Sequence, residues 1–282
     1  MIDTADAGST PATSILNKEN NKMQTNLLNK DMTHKLYEGN NLNHLPTIED
    51  ESVHLICIDP PYNTGIERKF RSGSYSDQFE SSESYISFMK PIIEECYRVL
   101  TPNGSLFLII DDHEEYNIWT LLREVFGPNN LINKIIWAYD WGHREKKRWT
   151  PKHDTIFWFA KDAENYIFER EECDRIAKRS PNLFENGSTD KLPTDVWWQT
   201  IVTASSNEST GYPTQKPLKL IERIVMVHTK PGNVVLDCFA GSGTVGIAAA
   251  KYACSSILMD QNPESWEIIK DRMQDYGLEV IK

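Results

Sequence analysis

Two short clusters carry residue types that could do chemistry. The first is Asp59-Pro60-Pro61-Tyr62, followed by Asn63. Its prolines fix the backbone and remove donors, which leaves the nearby carbonyl without an intrastrand partner. The Asp59 carboxylate and the Pro60 carbonyl can then both accept hydrogen bonds from one planar NH2 group. Tyr62 offers a flat face on which a nucleobase could stack. The second cluster is Asp237-Cys238-Phe239-Ala240-Gly241-Ser242-Gly243-Thr244. Glycines in such a turn let a ligand approach the backbone, and free N–H groups at a helix start attract polar ligand atoms. No Gly-Lys-Ser/Thr follows, so this is not a phosphate loop. With Gly246 the spacing does fit Gly-x-Gly-x-x-Gly, and a dinucleotide stays open on spacing alone. Asp260, at the next strand end, would bind ribose hydroxyls in either case. The pairing separates the readings. A nicotinamide dehydrogenase has no need of an amine clamp, whereas a transferase acting on an exocyclic amine needs a clamp and a nucleoside-cofactor pocket.

Both clusters must be held at strand ends. Residues 35–40 read as a short strand, and 53–58 as a strand rich in β-branched residues that stops at the prolines. Residues 63–82 read as a mobile loop. Helical spacing predicts a helix over about 83–100, a turn at Asn103-Gly104 and a buried strand over 105–110. A helix over about 113–126 and strands over 134–139 and 154–160 follow. Residues 161–212 have weak periodicity and look like an insertion. A helix over about 217–229, a strand over 234–237, the glycine-rich turn, a helix over 244–252, a strand over 256–260 and a last helix over 263–276 complete the chain. Alternating strands and helices predict an α/β fold with a mostly parallel, helix-covered sheet. Ligands then bind beyond the carboxyl ends of the strands, near a switch point.

The chain has 282 residues, enough for a sizeable core without staples. Five cysteines stand singly, none at CxxC spacing, which argues against a structural zinc site or a disulfide framework and fits a reducing cytoplasm. No apolar run approaches the roughly 20 residues of a membrane span. Residues 1–33 are polar and aperiodic and read as a disordered arm. The net charge of −11 argues against non-specific coating of nucleic acid. A local basic stretch nevertheless runs from Gly142 to Lys152, with Arg144, Lys146, Lys147, Arg148 and Lys152 against Glu145. Alone it reads as a solvated loop.

With these residues in hand, the chain resembles the amino-methyltransferases of DNA, the S-adenosylmethionine-dependent enzymes that modify adenine N6 or cytosine N4. Asp59 to Tyr62 match their catalytic motif. Asp237 to Thr244 match their cofactor motif, with Cys238 where Pro is usual. Gly211-Tyr212-Pro213-Thr214-Gln215-Lys216-Pro217-Leu218 matches the block that packs around the cofactor's methionine part. The catalytic motif precedes the cofactor motif, as in the permuted beta group, whose target-recognition segment lies between the two. One departure is Gly39-Asn40, where the family usually shows Gly-Asp.

The resemblance implies a Rossmann-like methyltransferase domain over 34–282, with a mostly parallel seven-stranded sheet and helices on both faces. It implies S-adenosyl-L-methionine as cofactor, no metal, and double-stranded DNA as substrate after base flipping. Asp59, Pro60, Pro61 and Tyr62 are then catalytic. Asp237, Phe239, Ala240, Gly241, Ser242, Gly243, Thr244, Asp260, Lys216, Pro217 and Asn40 are the cofactor-binding candidates. Arg144, Lys146, Lys147, Arg148 and Lys152 become DNA-contact candidates, with Trp141 and Trp149 flanking them to intercalate or pack. The segment over about 161–210 takes the place of the recognition insertion, and Asp195-Val196-Trp197-Trp198 within it reads as recognition surface or core. Asp59 favours adenine, because the cytosine-N4 group more often has Ser before Pro-Pro-Tyr. Cytosine N4 is the alternative, and an inactive DNA-binding relic a weaker one. A second copy of the chain and a companion restriction endonuclease are candidate partners, and the expected setting is the cytoplasm of a prokaryotic cell, or a phage origin, near the nucleoid.

Overall fold

The computed structural model describes residues 32–69, 74–142, 144–177 and 190–282. The expected arm, up to residue 31, lies outside them, as do His143 and residues 178–189 of the expected insertion. Nine strands form one sheet. They are β1 (His34–Glu38), β2 (Val53–Ile58), β5 (Leu100–Ile110), β6 (Leu131–Ala138), β7 (His153–Ala160), β10 (Val196–Trp198), β11 (Val234–Asp237), β12 (Ser255–Asp260) and β13 (Leu278–Ile281). Their order across the sheet is β10-β6-β7-β5-β2-β11-β12-β1-β13. Only β7 runs against its neighbours β5 and β6; every other pairing is parallel. The seven strands expected from sequence form the consecutive centre, and β10 and β13 add one short strand at each edge. Two small hairpins stand apart: β3 (Glu67–Lys69) with β4 (Ser74–Ser76), and β8 (Ile176–Ala177) with β9 (Asp190–Lys191). The first occupies part of the stretch read as a loop.

Strand side chains alternate between faces, and the core divides accordingly. The short helix α1 (Asn41–His44) follows β1. Ile56, Ile58, Leu106, Leu108 and Ile110 join the cluster under α2 (Ser82–Val99) and α3 (Glu115–Phe126). Leu55, Cys57, Phe107 and Ile109 join the cluster under α4 (Leu218–His228) and α5 (Thr244–Lys251). A smaller cluster joins Leu36 and Leu258 to Ile269 and Met273 of α6 (Pro263–Met273). The start of α2 is fixed by a reciprocal cap between Ser81 and Ser84. The expected turn at Asn103-Gly104 lies instead inside β5, where the register against β2 shifts between Val53 and Leu55. Such a bulge takes up the extra residues without ending the strand. No described helix is long and apolar enough to cross a membrane.

Candidate active site

Strands β2 and β11 lie side by side and parallel, with Val235 opposite Leu55 and Leu236 opposite Ile56. Their carboxyl ends therefore open on the same edge of the sheet. Chain order also reverses here, because β2 continues outward to β5 and β11 outward to β12. A cavity of about 440 Å³ sits at this switch point, lined among others by Asp59, Tyr62, Phe79, Asp237, Gly241 and Asp260. The two sequence clusters, far apart along the chain, share one chamber.

On the catalytic side, Asp59 is held at both oxygens. The Tyr62 hydroxyl donates to Oδ1 at 2.5 Å. The Lys216 ammonium donates to Oδ2. Among the described residues no backbone donor reaches the Pro60 carbonyl. Burial and the neighbouring Asp59 push the Tyr62 phenol well above its usual range, so it stays a donor. Asn63, at φ 57°, turns the chain away from the motif. Its side-chain amide donates to Glu114 Oε1 at 2.7 Å, and its side-chain oxygen accepts from the Phe79 N–H at 2.9 Å. Glu114 is buried and also accepts from Ser82 and Asn117. These bonds tie the segment after the motif to the starts of α2 and α3 and bring Phe79 into the cavity wall. That order was not legible in a stretch read as a mobile loop.

On the cofactor side, Asp237 is buried and accepts from the Phe239 N–H at 3.0 Å. Burial holds its carboxyl well above the usual range, with that N–H pulling the other way. Asp260 accepts from the Gly241 N–H at 2.7 Å and the Asn262 N–H at 2.8 Å. Burial pushes its pKa up to about 6 against these donors. Ala240 is anchored by its N–H to the Met259 carbonyl at 2.9 Å. Ser242 and Thr244 line the cavity with Gly241, Ala240 and Phe239. Gly243 does not line it: at φ +74°, a Cβ there would lie 2.9 Å from Ile269 Cγ1, so this glycine serves the turn and its packing on α6. Pro217 likewise lies outside the lining and precedes α4 as its cap residue. Lys216 lines the cavity, but its ammonium goes to Asp59; only its carbonyl meets the cofactor turn, accepting from Thr244 Oγ1 at 3.4 Å. Asn40 accepts from the Leu42 N–H at 2.9 Å, capping α1. Asn caps as well as Asp, which accounts for the departure from Gly-Asp at no structural cost.

Three contributors escaped the sequence reading. Asn41 is buried, lines the cavity and donates to the Cys238 carbonyl at 3.0 Å. Tyr212 packs its ring where a Gly241 Cβ would stand, 3.1 Å away. Arg272, on α6, donates to the Ser242 carbonyl at 2.6 Å and to Thr244 Oγ1 at 3.1 Å, bracing the turn from behind. Only Tyr212 carried a signal, its place in the block that ends at Leu218.

The basic stretch leaves β6 at the same edge as the cavity and returns into β7, its neck closed by the Tyr139 N–H on the Lys152 carbonyl at 2.9 Å. Lys146, Lys147 and Arg148 are exposed. Arg144 pairs with Asp140, and the Lys152 ammonium is turned back onto the Trp141 carbonyl. Trp149 is 98% exposed and Trp141 58%, so neither packs into the core. The expected recognition segment splits. Residues 161–177 cross the opposite edge, where the Glu169 N–H donates to the Val227 carbonyl and Arg223 pairs with Asp174. The chain returns to the cavity edge through β10. There Trp197 is buried, with the Arg223 guanidinium 5.1 Å from its ring, while Trp198 is 54% exposed.

Residues 53–271 match the family model described as DNA methylase of the N6/N4 type. The Type II methyltransferase M.HpaI of Haemophilus parainfluenzae is 31% identical over 245 residues, covering 86% of this chain and 74% of that protein. The DNA adenine methyltransferase YhdJ of Escherichia coli K12 is 31% identical over 241 residues, covering 81% of this chain and 79% of that one. Among solved structures, TTHA0409 of Thermus thermophilus complexed with S-adenosyl-L-methionine superposes with TM-score 0.61 at 22% identity, covering 89% of this chain and all of that chain (100%). The cytosine-N4-specific PvuII DNA methyltransferase superposes with TM-score 0.64 at 18% identity over 89% of this chain and 95% of that one.

Proposed function

The chain belongs to the DNA methylases that modify adenine N6 or cytosine N4, and on that premise we propose that its target is adenine N6 in double-stranded DNA, within a specific sequence. The observation that carries the reading is that Asp59 and the Gly241 turn line one cavity. The adenine choice is supported by Asp, not Ser, before Pro-Pro-Tyr and by the likeness to YhdJ.

S-adenosyl-L-methionine is the methyl donor of such enzymes, and the cavity suits it. Its volume lies in the range of small-molecule sites. Asp260, mostly ionised at neutral pH, gives the cavity an anionic group that favours a cationic ligand, and Phe79, Phe88 and Phe239 supply apolar walls. Asp260 lines the cavity at the end of β12, where its carboxylate can accept from ribose hydroxyls. Bound there, the cofactor supplies a methyl group on a positively charged sulfur.

The chain's own residues prepare the amine. Its nitrogen is a poor nucleophile because the lone pair is delocalised into the ring. Asp59 and the Pro60 carbonyl accept its two N–H groups and draw it toward tetrahedral geometry, which localises the lone pair. Such positioning is worth up to about 7–11 kcal/mol. The Asp59 carboxylate also stabilises positive charge developing on nitrogen, while the Tyr62 hydroxyl fixes its rotamer. The base reaches the cavity by flipping out of the duplex, at a cost of a few kcal/mol, and stacks on the Tyr62 ring. Phosphate contacts fall to Lys146, Lys147 and Arg148, with Arg144 and Lys152 joining once released from Asp140 and Trp141. Base-edge recognition falls to this loop and to the chain between β10 and α4, which share the cavity edge. A second copy would widen the footprint, and a companion nuclease would place the enzyme in a restriction-modification pair.

Mass spectrometry of nucleosides from methylated DNA tests the reading. N6-methyladenine is expected. N4-methylcytosine would move the target to the other amine, for which the same clamp serves.

A further inference from the structure

Lys216 occupies an unusual place for a cofactor-block residue. Its side chain is only 13% exposed, and its ammonium rests on Asp59 Oδ2, 5.4 Å from the Tyr62 ring centre and 6.0 Å from that of Trp137. It therefore sits, as an N–H donor, against the carboxylate that must receive the target's N–H. A carboxylate oxygen cannot take both along the same direction. Nor can a desolvated cation simply be abandoned; it needs another anion. Asp154 is such an anion. It stands at the start of β7, opposite Trp137 on β6, and is 7% exposed. Its Oδ1 accepts from the Tyr139 hydroxyl at 3.0 Å. The Lys216 charge attracts it, whereas Asp59 and Asp111 repel it. Burial pushes its pKa up to about 6, so it is mostly ionised at neutral pH.

We infer that Lys216 is a displaceable placeholder for the target amine: its ammonium fills the seat at Asp59 in the base-free enzyme and shifts toward Asp154 when the base enters. This deepens the clamp reading and rests on it. Lys216 and Asp154 are then positioning residues, one keeping the seat formed and the other receiving the displaced charge. Loss of Asp154 must hinder base entry only while Lys216 is present, because only then is there a cation to rehouse.

A double-mutant cycle tests this with tritiated S-adenosyl-L-methionine and unmethylated phage genomic DNA as substrate. Asp154→Asn keeps an acceptor for Tyr139, and calorimetric titration with S-adenosyl-L-methionine verifies the fold of each variant. Asp154→Asn is expected to lower kcat/KM for DNA about tenfold with cofactor affinity unchanged, and to change it less than about twofold in the Lys216→Met background. Lys216→Met alone is expected to lower KM for DNA, since the base then meets no cation at the Asp59 seat. An equal loss from Asp154→Asn in both backgrounds, or no loss in either, overturns the placeholder. Methylcytosine as the product would overturn only the adenine assignment, because either amine uses the same seat. Turnover retained by Asp59→Ala would remove the clamp and the placeholder with it.

Discussion

Asp59→Ala removes the carboxylate on which the Tyr62 hydroxyl and the Lys216 ammonium converge. Two costs follow and must be read apart. For chemistry, losing one preorganised group aimed at developing charge costs about 10²–10³ in kcat. The Pro60 carbonyl that remains accepts one N–H and cannot orient the amine alone, so the loss should lie near the upper end, about 4 kcal/mol at 1.36 kcal/mol per tenfold. For stability, stranding a fully buried cation costs about 3–5 kcal/mol. Here the side chains of Asp59 and Lys216 are 21% and 13% exposed, so water takes up part of the cost, and about 2 kcal/mol is the expected penalty. The assay pairs single-turnover methyl transfer at saturating cofactor with calorimetric titration of that cofactor. Turnover should fall about a thousandfold, while cofactor affinity holds within about twofold, because Asp59 bonds neither Asp260 nor the Gly241 turn. Asp59→Asn, which keeps the volume and one acceptor, should fall less. Transfer within about tenfold of wild type by folded Asp59→Ala would refute the clamp.

The remaining predictions address charge, packing and the turn. Asp154→Asn should raise unfolding stability at pH 8. The folded-state pKa of about 6 lies above the ordinary 3.8, so the folded protein holds this proton more tightly and its ionised form is the destabilised one. The gain should approach about 3 kcal/mol above pH 6 and vanish as pH falls through 6 toward 4, read by urea melts at both ends. Replacing Lys146, Lys147 and Arg148 by Ala should reduce the slope of log K for DNA against log salt by up to about 3, with cofactor binding unchanged; an unaltered slope would take this loop off the phosphates. Gly243→Ala should cost about 1–3 kcal/mol in denaturant melts, since its Cβ would meet Ile269 at a positive φ. Arg272→Met should weaken cofactor binding about tenfold in the same titration while leaving DNA affinity intact, because Arg272 braces the Ser242 carbonyl rather than facing DNA.

What could be read from the sequence was what is local. Val53 to Ile58 announce a strand by composition and its end by two prolines, and apolar spacing announces the helix that begins near residue 83. The glycine-rich turn declares itself the same way, though Gly243 answers to Ile269 as well as to the turn. Long-range partners left no such trace. Lys216 and Asp59 are 157 positions apart, and no spacing rule says that this ammonium points at the catalytic carboxylate rather than at the cofactor. Arg272 stands on the last helix among charged residues of ordinary surface type, and only the folded α6 turns it onto Ser242. The edge strands β10 and β13 have three and four residues, too few for a period to emerge. The segment 161–212 shows only weak periodicity, so nothing local in it says that the sheet divides it between opposite edges.

Motif order along the chain and motif placement in space obey different constraints here. Asp59 precedes Asp237 by most of a domain, but β2 and β11 are neighbours, and any connection that keeps them parallel leaves both carboxyl ends on one edge. A clamp and a cofactor turn built on adjacent strands are therefore insensitive to which is synthesised first. What the order does decide is where inserted chain can emerge. Between the two motifs the sheet is extended by β5, β7 and β6, and β7 runs backward. That reversal puts the β6–β7 connection on the cavity edge and the chain after β7 on the other. The basic loop leaves β6 beside the clamp because β6 runs parallel to β2, and the reversed β7 takes the chain back at that same edge, where a parallel β7 would have drawn the connection across to the other.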